Sequence, residues 1–258
     1  MVLAATAWML SAAYVTLHKR HIGITVFYIM ASDRGKWWLD LFAYVIGVIA
    51  LWLLIDDSVI RALESVIMIE RAGSAWNSPQ PLILKSMLTL GAIVYILQLM
   101  INLYRHFSSK LAKSIVLILC GIILLRIICV IIVHFIGEES FFGYINSIYA
   151  YVGSFINPQE IINMRDMDIG TASLLIVALM LVLMMTGMPL GVVTLFVSIL
   201  SALFYFGYGG LYLVSTNAFG LLEKYPLIAV PLFVLMASIL ERAGVAEDLF
   251  DAMSIFAG

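Results

Sequence analysis

The chain has 258 residues, of which 64% are hydrophobic and 12% charged. Soluble domains carry about 45–50% apolar and about 25% charged residues, so a water-soluble globular protein is excluded. A net charge of −2 with no basic tract gives no sign of a nucleic-acid partner. The length is better counted in membrane spans of about 20 residues. The fold class this predicts is an all-α, polytopic transmembrane helix bundle in a lipid bilayer.

Residues 1–17 are apolar and are followed by His18, Lys19, Arg20 and His21. A secretory signal peptide has the opposite charge order and a small-residue cleavage site, so this segment reads as a membrane helix whose beginning is missing or unusually short. The next span runs over 37–55, with Trp37 and Trp38 at its mouth and Asp56 and Asp57 closing it. Residues 58–72 mix Arg61, Glu64, Glu70 and Arg71 with Ile and Val, the pattern of an amphipathic segment lying on the membrane surface. Residues 77–81 form a loop and a helix start.

Residues 82–103 span again, with Lys85 in the first turn, and 114–135 form another span carrying Arg126 near its middle. Glu138 and Glu139 open a loop to Asp168 whose Tyr144, Tyr149 and Tyr151 suit a bilayer surface. Residues 170–208 are apolar for about two bilayer thicknesses. Gly187, Met188 and Pro189 in their middle favour two short helices over one broken helix. A further apolar segment covers 225–240, with Pro226 and Pro231 inside it, and 241–256 has amphipathic spacing around Gly244.

The stretches 18–36 and 105–113 are rich in Lys and Arg, whereas 56–80 and 137–168 are richer in acid. The positive-inside rule makes the first two cytoplasmic and the others external, and the intervening spans alternate accordingly.

No catalytic constellation, metal-ligand spacing or phosphate-binding glycine loop occurs, so no catalytic or metal residue is assigned and an enzyme is not expected. Cys120 and Cys129, nine residues apart in one apolar run, lie on different helical turns and suit packing or lipid contact better than a disulfide. Arg126 is an intramembrane charge. It is a functional candidate by default, against an interhelical ion pair or snorkelling to a head group. Lys85, nearer a helix end, is a second candidate with snorkelling as its rival. Broken helices expose carbonyls that transporters use to hold ions and anions. The segment around Pro226 and Pro231 therefore reads either as such a break or as a kinked packing helix.

The order of these features resembles the membrane part of the tripartite ATP-independent periplasmic (TRAP) transporters. His18 to Ile24, then Trp38-Leu39-Asp40-Leu41, then Pro81-Leu82-Ile83-Leu84-Lys85 with Gly91 and Gln98 are similar to the last three helices of the small, DctQ-like subunit. Gly187-Met188-Pro189-Leu190-Gly191 and the segment from Tyr225 through Pro226 and Pro231 to Phe233 resemble the start of the large, DctM-like subunit. So does the segment from Glu241 through Gly244 to Leu249, although Ala237 stands where the family often has glycine. The resemblance implies three parts. Residues 1–107 are small-subunit-like with the first helix missing, 108–169 are a connecting helix and external loop, and 170–258 are the beginning of the large subunit.

By the same resemblance, the chain is a fragment of a fused, sodium-coupled transporter of organic acids such as carboxylates in a bacterial inner membrane. Its implied partners are a periplasmic solute-binding protein and the rest of the large subunit, with the substrate-binding residues expected beyond residue 258. No covalent cofactor is implied, only a sodium gradient. Other classes weighed against this are a non-transporting membrane assembly or anchoring subunit, and a lipid-modifying enzyme using Arg126 or His134.

Overall fold

The computed structural model describes residues 2–18, 21–72, 77–136, 164–222, 224–244 and 253. Among these the regular structure is helical: α1 (Val2–Leu17), α2 (Val26–Met30), α3 (Asp33–Ile67), α4 (Gln80–His106), α5 (Lys110–Ile136), α6 (Ile169–Met185), α7 (Leu190–Phe206), α8 (Gly210–Leu222) and α9 (Tyr225–Arg242). Four helical stretches among the described residues are long and apolar enough to cross a membrane.

The 35-residue helix α3 is the axis of the bundle. Ser32 caps it, its side chain accepting from the Gly35 N–H at 3.3 Å. The surface-lying segment expected over 58–72 is instead mostly the last part of α3. The helix runs unbroken through Asp56 and Asp57 because both carboxylates find cationic partners, and Ser58, Val59, Ala62 and Ser65 are buried. With Asp56 and Asp57 inside a helix, Glu70 and Arg71 are the charges left in the connection to α4. A Schellman turn ends α3: Glu70 N–H donates to Ser65 O at 3.0 Å and Ile69 N–H to Val66 O at 3.3 Å, with Ile69 at φ 47°.

α4 returns antiparallel to α3. Trp37 stacks on His106 at 4.8 Å at one end, and at the other Thr89 Oγ1 donates to Ser58 O at 3.1 Å and Lys85 meets Glu70. Leu51, Ile55, Ile96, Leu99 and Met100 fill the seam, and Gly47 lets Leu99 approach closely. α1 lies parallel to α4: Met9 rests on Gly91, and Asn102 Nδ2 donates to Thr16 O at 3.4 Å. Such close crossings over small residues are how helices pack where lipid removes the hydrophobic drive between them. α5 adds Val116, Ile123 and Ile127 to the core and leaves Leu117, Ile118 and Leu125 exposed, the face expected to meet lipid.

The apolar stretch after 168 is two helices. Thr186 and Gly187 (φ +86°) end α6, and Pro189 precedes the first residue of α7. α7 runs along α3, with Ile46 against Val192 and Val193, and Ala50 against Ile199 and Leu203. The span from Leu190 to Leu222 is not straight. Gly207 (φ 66°, ψ −155°) turns the chain, and Gly210 sits so close to the Ala202 carbonyl that a Cβ there would collide with it. α8, which the hydropathy pattern did not reveal, packs Phe219 and Leu222 against Leu84 and Leu88. Glu241 and Arg242, expected to open a separate amphipathic helix, are the last residues of α9. The loop holding Tyr144, Tyr149 and Tyr151, and the rest of 245–256 apart from Met253, lie outside the described residues.

Candidate functional site

Two polar sites stand out in an otherwise apolar bundle. The first is built on consecutive residues of α3. Asp56 Oδ1 receives Arg126 Nη2 of α5 at 2.5 Å, and the guanidinium also lies 4.8 Å from the Trp52 ring centre. Asp57 Oδ2 accepts from Arg61 Nε at 2.6 Å, one helical turn on, and from the hydroxyl of Ser215 in α8. Arg61 in turn lies 3.8 Å from the centre of the Tyr212 ring. Neighbouring helix positions point about 100° apart, so one acid ties α3 to α5 and the next ties it to α8.

The space left beside Arg126 is about 10 Å³, room for a single water at most. Among the described residues, Arg126 therefore makes an interhelical ion pair beside a space too small for a solute. Lys85 Nζ lies 2.5 Å from Glu70 Oε2, and this bond holds the Glu70 carboxyl below its ordinary value. Arg126 and Lys85 are thus in separate ion pairs and do not form one site.

The second site is a partly open cavity of about 240 Å³ at the end of the bundle where the basic segments lie. Its walls come from the end of α1, the 21–28 segment, α3, α4 and the α6–α7 turn, and include Thr16, His21, Asp40, Tyr95, Asn102 and Gly187. Thr16 Oγ1 donates to Ala12 O at 2.7 Å, so the His21 Nε2 that lies 2.7 Å from it is the donor in that contact. Burial pushes the His21 pKa down, favouring the neutral ring. Tyr28 Oη reaches Asp40 Oδ2 at 3.4 Å.

Gly187 and Pro189 belong to this second site. The Ile22 carbonyl accepts the Leu190 N–H at 2.9 Å, satisfying one of the amides left unpaired at the start of α7. A Cβ on Gly23 would lie 3.1 Å from the Gly187 carbonyl oxygen, and one on Gly187 would lie 3.1 Å from Tyr28 Cβ. Two backbones therefore meet with no side chain between them. Pro226 occupies the first turn of α9, where proline is tolerated. Pro231 lies within a helix that stays continuous from Tyr225 to Arg242, so the backbone is not broken there. Gly244 (φ +71°) follows the end of that helix and gives its N–H to Glu241 O at 3.3 Å.

Residues 177–258 match the family described as the tripartite ATP-independent periplasmic transporter, DctM component. Over these residues the chain is similar to the DctM component of TRAP transporters. The matched segment begins within α6 and takes in α7, α8 and α9. It therefore includes Gly187, Pro189 and Ser215, which meet residues from before the match at the two polar sites. No similar curated protein and no similar solved structure was found. The matched family is one of transporters, and a membrane setting agrees with the apolar helices.

His21, Asp40 and Ser215 were not singled out by sequence reasoning. His21 and Asp40 sit in segments that carry the small-subunit resemblance, but no local pattern says that they face one cavity. Ser215 gives no such signal.

Proposed function

We propose that this chain is the fused membrane part of a sodium-coupled, binding-protein-dependent secondary transporter importing organic acids such as carboxylates across the bacterial inner membrane. Residues 1–107 act as the small, DctQ-like subunit, 108–169 as the connection, and 170–258 as the first part of the DctM-like subunit. The observation that carries this reading is the seating of the DctM segment on α3. The Ile22 carbonyl holds the Leu190 amide at one end, and Asp57 holds Ser215 toward the other. Contacts at both places oppose sliding of α7 and α8 along α3, as a fixed scaffold requires. A mobile transport domain formed by the rest of the large subunit would work against this scaffold. The solute-binding protein would deliver substrate, and the sodium gradient would supply the driving force.

The test is uptake into proteoliposomes containing the chain, the remainder of its large subunit and the binding protein. An inward sodium gradient should drive carboxylate accumulation, and replacing sodium with choline or omitting the binding protein should stop it. Full insertion with no uptake under any gradient would overturn the proposal in favour of a non-transporting assembly or anchoring subunit.

A further inference from the structure

The cavity at the basic end has a chemistry of its own. Asp40 supplies its carboxylate, and no Lys or Arg is among the described residues that line it. The hydrogen bond shown for Asp40 is the long one from Tyr28. On the same helix Lys36 is turned to Asp33 instead, 4.0 Å away. Burial lowers the His21 pKa, and its Nε2 is engaged with Thr16. Among the described residues that line it, the cavity thus carries one carboxylate, half-buried, with Tyr28, Tyr44 and Tyr95 also in the lining.

Each class of ligand can be weighed against that lining. An anion would meet a carboxylate with no cation among the described lining residues to offset it. A divalent metal needs several hard oxygen ligands and usually more than one carboxylate, and no metal-binding cluster occurs among the described residues. A purely apolar molecule would cover the carboxylate without satisfying it. A small organic cation fits this lining: the carboxylate accepts its charged N–H groups, the tyrosines offer aromatic surface, and the volume takes a short alkyl chain.

We propose that this cavity binds a primary alkylammonium group, with Asp40 as its counter-ion and the tyrosine rings as its walls. The bound group also touches the Gly187–Pro189 turn, so it fills the joint between the DctM segment and the helices before it. The ammonium can belong to a soluble amine or to the head group of an aminophospholipid. The inference concerns this joint alone and holds whether or not the chain takes part in sodium-driven uptake.

The test uses the full chain in lipid-free detergent micelles and titrates propylammonium, propanol and propionate by saturation-transfer NMR. Propylammonium alone should bind, and Asp40→Asn should weaken it by about tenfold or more, the loss of one charge-assisted contact. Equal binding of propanol to the wild-type chain, or unchanged propylammonium binding in a folded Asp40→Asn chain, would overturn the proposal. The comparison of the three ligands on the wild-type chain stands even if the variant does not fold. A second arm repeats the titration in phosphatidylcholine nanodiscs with and without phosphatidylethanolamine. Loss of propylammonium binding when the aminophospholipid is present assigns the site to a head group, and unchanged binding assigns it to a soluble amine.

Discussion

Arg126 Nη2 and Asp56 Oδ1 lie 2.5 Å apart across α5 and α3, inside apolar spans. An unpaired arginine at the centre of a membrane helix costs about 3 kcal/mol on insertion scales, and removing one member of a buried pair strands the other. The two side chains are still 26% and 28% exposed, which lowers the expected penalty. Arg126→Leu should therefore destabilise the folded bundle by about 2–3 kcal/mol, and Arg126→Leu with Asp56→Leu should recover most of it. A double-mutant cycle by reversible unfolding in bicelles measures this. Wild-type stability in the single variant would mean that the guanidinium reaches the head groups without needing Asp56.

Gly187→Ala should destabilise the α6–α7 turn by about 1–3 kcal/mol, since a non-glycine residue at φ +86° is strained and the new Cβ meets Tyr28 at 3.1 Å. Thermal unfolding of the purified variant should show a lower Tm. Tyr28 should also become more accessible to surface labelling as the 21–28 segment lifts from the turn.

Ile69 presents the opposite case. This β-branched residue occupies the left-handed position of a Schellman turn and is 58% exposed, so it gives up little burial. Ile69→Gly should stabilise the end of α3 by about 1 kcal/mol, the strain relieved less the added freedom of the unfolded chain. Hydrogen exchange of the Glu70 amide, which bonds to Ser65 O, should slow accordingly.

His21 makes stability depend on pH. Burial lowers its folded-state pKa below the unfolded value of about 6.5, so the unfolded chain binds the proton more readily. Its contribution is complete above about pH 6.5 and is lost as pH falls through the folded pKa. Unfolding midpoints should drop between pH 7 and pH 5 in the wild-type chain, and His21→Gln should flatten that part of the profile. An unaltered slope in the variant would assign the dependence to other groups.

What the sequence made legible was local. The break at Gly187, Met188 and Pro189 could be read because glycine and proline punctuate the backbone wherever they stand. The antiparallel course of α3 and α4 agrees with the alternation of basic and acidic stretches. Asp56 and Asp57 misled the reading of α3, because two adjacent acids look like the end of a span until Arg126, Arg61 and Ser215 are seen beside them. Those partners come from other turns or other helices, and hydropathy carries no record of them. α8 escaped for a related reason. Gly209 and Gly210 look like a loop, and Ser215, Thr216 and Asn217 dilute its apolar character. Around Pro231 the sequence left a break and a packing helix both open, and the backbone is a continuous helix there, because neighbours in a bundle can accommodate a proline within a helix.

At 1.5 Å per residue, α3 is about 52 Å long, against about 30 Å of hydrocarbon. Leaning at about 40°, the upper end of the usual range, it would still cover about 40 Å of depth. Part of it must stand outside the hydrocarbon. α6, at 17 residues, reaches only about 25 Å, short of the same layer, whereas the stretch from Leu190 to Leu222 has 33 residues. The bilayer around this protein thus meets one helix longer than its hydrocarbon layer and one shorter. The acyl chains beside α6 have to compress, and membrane thickness becomes a variable to which α6 responds and α3 does not.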